Sequence, residues 1–446
     1  MQKIRVWLMD KFSPFRMILM SFMILILAGA FLLSLPAASA SRQSVPFLNA
    51  LFTSASAACV TGLVVYDTAM QWSLFGRAVI LVLIQIGGLG VVTAMIGLMI
   101  MSGRRISLMH RITLQDAVSA HQIGGILNFT IFFLKGTLLI ECLGTILLFP
   151  YFAQEYGSLK GLGYALFHSL SAFNNAGFDL MGVKAPFSSL TGYAAHTGIN
   201  LIICSLIILG GAGFMTWRDL IASKFRISNL RLQSKLILFS TVFLVSLPFC
   251  FFYFHEFSAY PRNERILLSL FQSVTPRTAG FNTFDYSRMS EAGLLLTILL
   301  MLVGGAPGST AGGMKLTTAA VIVLAAVSSL KGKKDACVFR RRIREEDVVS
   351  AFTLCFLYLT LLLAGSAVLS VLEGLPLIRT MFECASALGT VGLTTGITPG
   401  LCPLSKIILI FFMYFGRVGG LTMTYAVINS EQTQPRRYPA EKLTIG

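Results

Sequence analysis

Charge is what this sequence has least of. Asp, Glu, Lys and Arg make up 12% of its 446 residues, where soluble domains carry about 25%, and no hydrophilic block is long enough to build a soluble domain. Paired cysteines are missing too. The eight cysteines (Cys59, Cys142, Cys204, Cys250, Cys337, Cys355, Cys384, Cys402) form no CxxC pair and share no spacing with the five histidines. Neither a disulfide framework nor a zinc site is therefore expected. No GxxxxGK[ST] stretch follows a strand, which argues against a phosphate-binding loop. Convergent Asp, His or Ser pairs on facing helices, as a membrane-embedded transferase or protease would need, are also absent, so no enzyme is expected.

What is present is apolar length. Hydrophobic residues reach 55%. Runs at 15–35, 74–101, 129–149, 235–254 and 348–372 match the ~20 residues a helix needs to cross a bilayer. The first run is too long for a signal peptide and lacks a convincing cleavage site, so it reads as the first span. The net charge of +16 is not spread evenly: about 22 of the 35 Lys and Arg fall in the N-terminus, 104–111, 218–235, 331–344 and the C-terminus. These segments alternate with the spans. That pattern points to a multi-pass protein of the cell membrane with both termini and three basic loops in the cytoplasm, not to a nucleic-acid binder.

An internal repeat organises the chain. Four segments begin with an aromatic residue, run through Ser, Thr or Ala, and end in glycine plus a hydrophobic residue. They run from Phe52 to Gly62-Leu63, Phe167 to Gly177-Phe178, Phe271 to Gly280-Phe281 and Phe382 to Gly392-Leu393. The third copy is one residue shorter. The glycines are spaced by roughly 100 to 115 residues, each between two apolar runs. Each segment is too short to cross a bilayer, and stretches such as 46–57 and 162–173 fit re-entrant half-helices.

The expected fold is an all-α polytopic membrane protein of four helix–pore-loop–helix repeats, pseudo-fourfold around one central pore, with eight transmembrane helices and four pore half-helices. The chain reads as a single membrane domain, 1–446, with repeats 1–110, 111–225, 226–345 and 346–430 and a cytoplasmic tail, 431–446.

A bare cation in a pore needs its hydration shell replaced by oxygens, which rings of backbone carbonyls supply. Pointing successive carbonyls one way needs backbone angles that glycine tolerates best, and the C-terminal ends of half-helices favour a cation. The candidate filter residues are Cys59, Val60, Thr61 and Gly62; Asn174, Asn175, Ala176 and Gly177; Thr278, Ala279 and Gly280; and Thr390, Val391 and Gly392. Close helix packing would explain one such glycine, but it does not explain four in matching positions. Arg277, beside the third filter, is expected to brace it by donating to backbone carbonyls. Glu141 and Lys135 are expected to make interhelical contacts.

These segments (AACVTGL, LSAFNNAGF, VTPRTAGFN, ALGTVGLT) resemble the single-glycine filters of the Trk/Ktr/HKT superfamily of potassium transporters, in particular its KtrB-like membrane subunits, over nearly the whole chain. The resemblance implies potassium uptake down the membrane potential through a channel-like pore, with K+ held at the filter residues. It also implies stimulation by Na+ in some members, no covalent cofactor, and a homodimer docked on a cytosolic, KtrA-like ring of nucleotide-binding subunits. One departure stands out: KtrB-like first filters read Thr-Thr-Val-Thr-Gly, whereas Ala58 and Cys59 precede Val60 here. Side-chain hydroxyls are lost there, which puts selectivity in doubt more than fold.

After the third filter, an apolar run breaks into Gly304, Gly305, Ala306, Pro307, Gly308, Ser309, Thr310, Ala311, Gly312 and Gly313 before Met314 and Lys315. Pro307 and so many glycines cannot continue a helix, so this stretch must line protein or water. The resemblance implies an intramembrane gating loop here. Arg417 lies in the apolar stretch 407–427, and the family has an arginine in this GRVGG context. Either it faces the conduction path and binds the loop at Ser309 or Thr310, or it snorkels to an interface. Lys315 is a weaker candidate for the same role. The basic loops and tail fit a docking face, topology signals or contact with anionic membrane lipid equally well. An ion-coupled secondary transporter is disfavoured because the repeats share one orientation and the spans hold few acids beyond Glu141. A less selective sodium/potassium pathway remains the other alternative.

Overall fold

The computed structural model describes residues 14–101, 126–333, 335–420 and 422–423. The N-terminal basic stretch up to residue 13, the basic loop 104–111 and the tail 431–446 lie outside the described residues.

The described chain is mostly helical, with one two-stranded hairpin, β1 (Cys337–Val338) and β2 (Arg341–Arg342). Four helices are long and apolar enough to cross a membrane: α1 (Pro14–Ser34), α5 (Ile126–Tyr156), α9 (Leu232–Phe251, continued by a π-turn Phe252–Glu256) and α13 (Glu345–Glu373). Large apolar side chains such as Phe31, Leu139, Phe239 and Phe356 stand exposed on these helices. In water such surfaces would associate; in a bilayer they meet hydrocarbon. The interior holds polar side chains beside its apolar core, with Ser54, Thr61, Ser171, Gln272 and Glu383 wholly buried.

Each long helix is followed by a shorter one that stops inside the protein: α2 (Phe47–Ala58), α6 (Ser158–Phe173), α10 (Arg262–Val274) and α14 (Leu377–Gly389). Proline precedes three of them, at Pro46, Pro261 and Pro376. Its fixed φ suits a helix start, where no intrahelical N–H bond is lost.

The helices that close the repeats break where hydropathy alone shows continuity. The run 74–101, read from the sequence as one span, is α3 (Leu74–Leu89) and α4 (Val91–Met101), bent by 97° at Gly90. Its counterpart is α7 (Thr197–Gly211) and α8 (Phe214–Ala222), bent by 90° at Gly213. In the third repeat α11 (Glu291–Leu302) and α12 (Leu316–Leu330) flank the glycine-rich loop, as its composition requires. In the fourth, α15 (Pro403–Val418) ends at Gly419. Among the described residues four single helices qualify as spans by length and composition, or up to six when each bent pair is counted as one.

Candidate ion pathway

The four short helices end at the predicted filter segments. In every one, glycine and the residue two before it have positive φ: Val60 and Gly62 (58° and 93°), Asn175 and Gly177 (58° and 68°), Thr278 and Gly280 (72° and 80°), Thr390 and Gly392 (50° and 92°). Alternating backbone hand turns successive carbonyls toward one side, the geometry a carbonyl-lined cation site needs.

The glycines also meet one another. A methyl placed on Gly62 would strike the Ala176 carbonyl, on Gly177 the Ala279 carbonyl, on Gly280 the Val391 carbonyl, and on Gly392 the Thr61 carbonyl. The circuit closes in chain order, one repeat against the next. Buried hydroxyl oxygens of Thr61, Thr278 and Thr390 near this ring have no hydrogen-bond partner among the described residues.

A set of residues missed in the sequence reading pins these strands. Ser56 and Ser386 accept the Gly62 and Gly392 N–H groups, each at 3.0 Å. Ser171 and Thr275 donate to the Phe178 and Phe281 carbonyls at 2.6 and 2.7 Å. Aligned on the aromatic that opens each motif, the four fall at one position, four residues on, so the signal was available. The one-residue shortening of the third copy is absorbed between Thr275 and Gly280.

Other predicted residues fall differently. Cys59 and Asn174 cap α2 and α6 in helical conformation, before the alternating segment begins. The Asn174 amide donates to Gln85 and Glu141, both at 2.9 Å, so Glu141 does make the expected interhelical contact. Lys135 does not join it; it stands exposed on α5. The bracing role expected of Arg277 is not what the structure shows. Its guanidinium turns away to Thr241 Oγ1 on α9, at 3.4 Å, and its buried Nε has no partner among the described residues.

Directly against the ring lies the loop 303–315. Its neck is closed by Gly304 N–H on the Met314 carbonyl, 2.7 Å. Ala306 and Thr310 N–H groups bond the Gly211 and Gly210 carbonyls at 2.9 and 3.3 Å, and Gly313 N–H bonds Gly416 at 3.0 Å. The Thr310 hydroxyl donates to Phe173, the last residue of α6, at 3.0 Å. A side chain on Gly312 would collide with Thr390 of the fourth filter.

Arg417 reaches this loop. It donates to the Thr310 carbonyl, and with its other nitrogen to Gly87 and Gly88 at the end of α3. Of the two loop residues expected as its partners, Thr310 takes part. Ser309 does not take part; its hydroxyl turns to the Ala306 carbonyl at 2.6 Å. Lys315 bonds the Ala311 carbonyl at 2.8 Å within the loop itself. Both cations border a cavity of about 280 Å³ that Gly308, Ser309, Ala311 and Gly313 of the loop also line.

The break points are one more repeat that sequence reading found in a single copy. Gly87-Gly88, Gly210-Gly211, Gly304-Gly305 and Gly416-Arg417 occupy matching places, and Gly90, Gly213 and Gly419 share φ of 82–93° and ψ of 131–134°. A methyl on Gly87, Gly210 or Gly416 would meet the Ala58, Phe173 or Leu388 carbonyl, the ends of three short helices. Arg417 thus stands where the other repeats have a second glycine.

Residues 8–436 match the family described as TrkH, cation transport protein. The chain is 39% identical to the potassium/sodium uptake protein NtpJ of Enterococcus hirae, over 98% of both chains. It is 36% identical to the Ktr system potassium uptake protein B of Bacillus subtilis, over the full length of both. In structure it is similar to the crystal structure of the potassium transporter TrkH from Vibrio parahaemolyticus, with a TM-score of 0.75 at 18% identity, covering 94% of this chain and 86% of that one.

Proposed function

The chain belongs to the TrkH family of cation transport proteins, and on that premise we propose that it takes up potassium through a channel-like pore whose selective element is the ring of Gly62, Gly177, Gly280 and Gly392. It is a membrane transporter and not an enzyme. The observation that carries the finer reading is the closed circuit of four glycines with alternating backbone hand. Four equal contributions of carbonyl oxygen around one axis replace the water an ion leaves behind. Loop 303–315 is the gate, and Arg417 latches it between α15 and α3. A fixed cation beside the path also opposes cation flow until it moves.

The remainder follows from the family and from the charge pattern. Each protomer has its own pore, built from eight spanning helices and four half-helices, and pairs as a homodimer on a cytosolic nucleotide-binding ring. Both termini are cytoplasmic, and sodium acts as an activator. A pathway less selective between sodium and potassium has one observation in its favour: Ala58 and Cys59 in place of hydroxyl-bearing residues before the first filter.

Growth of a potassium-uptake-deficient bacterium on low potassium tests the proposal, with a cytosolic Ktr-type partner supplied. Rescue by the native chain, weakened or made sodium-sensitive by Gly392→Ser, is expected. Failure to rescue while the protein is present in the membrane with its partner would refute potassium uptake.

A further inference from the structure

The short helices carry another regularity, one residue after the aromatic that opens each motif. Thr53, His168, Gln272 and Glu383 hold this place, all buried. In three repeats the side chain crosses to the residue three beyond the filter glycine. His168 Nε2 accepts from the Leu180 N–H at 3.4 Å while Nδ1 meets the Tyr164 carbonyl at 2.7 Å. Those partners require a neutral ring with its proton on Nδ1. Gln272 Nε2 donates to Thr283 Oγ1 at 3.2 Å, and its Oε1 accepts from the Tyr286 hydroxyl. Glu383 is the most heavily engaged, accepting from the Thr394 hydroxyl, the Thr395 N–H at 3.2 Å and the Thr398 hydroxyl at 3.0 Å.

The first repeat lacks such a side chain. The Thr53 hydroxyl returns to the Asn49 carbonyl in its own helix at 3.0 Å, and the residue three beyond Gly62 is Val65. A chain of contacts from the fourth repeat stands in. Lys406 at the start of α15, only 9% exposed, donates to Asn49 Oδ1 at 3.2 Å, and Asn49 Nδ2 donates to the Tyr66 hydroxyl at 2.7 Å.

We propose that His168, Gln272 and Glu383 are positioning residues that hold the strands leaving filters two, three and four, and that Lys406 does the same for filter one from the neighbouring repeat. The inference rests on the conduction reading above and deepens it. The first residues past each glycine belong to neither helix nor sheet, so side chains must set where their carbonyls stand. A carbonyl ring free to contract gives the smaller Na+ the short contacts it needs, and discrimination against it falls. None of the four side chains has to touch an ion to exert this effect. Glu383, with three donors, carries the largest share.

The test compares Rb+ and Na+ entry into a potassium-uptake-deficient bacterium making the full chain, with the amount in the membrane measured for each variant. Glu383→Ala is expected to raise Na+ entry relative to Rb+ about tenfold, the ratio that losing one buried charge-assisted hydrogen bond permits. Glu383→Gln, the residue used at this place in the third repeat, is expected to recover most of the discrimination. Thr394→Val combined with Thr398→Val removes donors from the opposite end and is expected to shift the ratio the same way, even where Glu383→Ala fails to accumulate. Lys406→Met is expected to give a smaller shift in the same direction. An unchanged ratio in variants present at normal amounts overturns the inference. So does a Gln variant as leaky as Ala, because hydrogen bonding would then not be what Glu383 supplies. Gly392→Ser separates the two levels: a shifted ratio there beside unchanged strut variants removes the struts alone, whereas no shift there removes the filter assignment itself.

Discussion

The glycine ring and the layer of helix breaks beneath it are built from the same four repeats, yet they treat that symmetry in opposite ways. At the ring all four copies keep one backbone conformation and one hydroxyl pin. At the breaks, two copies turn sharply at glycine, one opens into loop 303–315, and one replaces a glycine with Arg417. Under the proposed function, the difference follows from what each layer must do. An ion stripped of water needs equivalent oxygens on every side, and any unequal copy weakens the site. A gate needs an element with two arrangements and a contact that biases them, which a fourfold-symmetric constriction does not supply.

Perturbing one layer should therefore change what passes, and perturbing the other should change how much. The largest effect is expected for Gly280→Ala. Positive φ costs an alanine ~1–2 kcal/mol, and its methyl would also run into the Val391 carbonyl. Rb+ uptake should fall on the order of a hundredfold, as ~2.7 kcal/mol implies. Next comes Arg417→Gln, which removes the charge and most of the donation to Thr310, Gly87 and Gly88. Initial Rb+ influx should rise roughly tenfold with the Rb+/Na+ ratio unchanged, given ~1.5–3 kcal/mol for each bond to a charged group. Unchanged influx would remove Arg417 from the gate.

Thr310→Val keeps the shape of the loop but loses the bond to the Phe173 carbonyl. Influx should rise about fivefold, in line with ~1 kcal/mol for one neutral hydrogen bond. Lys315→Met is expected to be the mildest, about twofold, because among the described residues Lys315 bonds the Ala311 carbonyl of its own loop alone, and ~0.5 kcal/mol, the low end for one hydrogen bond, corresponds to that ratio. A selectivity change in any of these three gate variants would blur the division between the layers.

The ring was legible in the sequence because four copies repeat a pattern that one copy could not support. Phe52, Phe167, Phe271 and Phe382 set the register, and each glycine then fell in place. The pins Ser56, Ser171, Thr275 and Ser386 were hidden by the shortened third copy, which shifts Thr275 one residue nearer its glycine. The breaks at Gly90 and Gly213 were not legible from hydropathy, since a sharp turn between two apolar helices leaves composition unchanged. In the third repeat Pro307 and the surrounding glycines made the break visible. Arg277 was misread because position along the chain placed it beside the filter, while the direction of its long side chain, toward Thr241, is set by packing against α9 of its own repeat. The cation at Arg417 was legible as an anomaly in an apolar run, and its partners on α3, some 330 residues away in sequence, were not.

The most direct test of the account is to locate the ion. Crystals of the full chain grown in Rb+ in place of K+, with anomalous scattering recorded at the rubidium edge, should show density on the axis of the four filters, among the carbonyls of Thr61, Ala176, Ala279 and Val391. That density should disappear in Gly280→Ala. Rubidium bound elsewhere, or a bare ring in a protein that transports Rb+ at normal rates, would contradict the assignment of the glycine ring as the selective site.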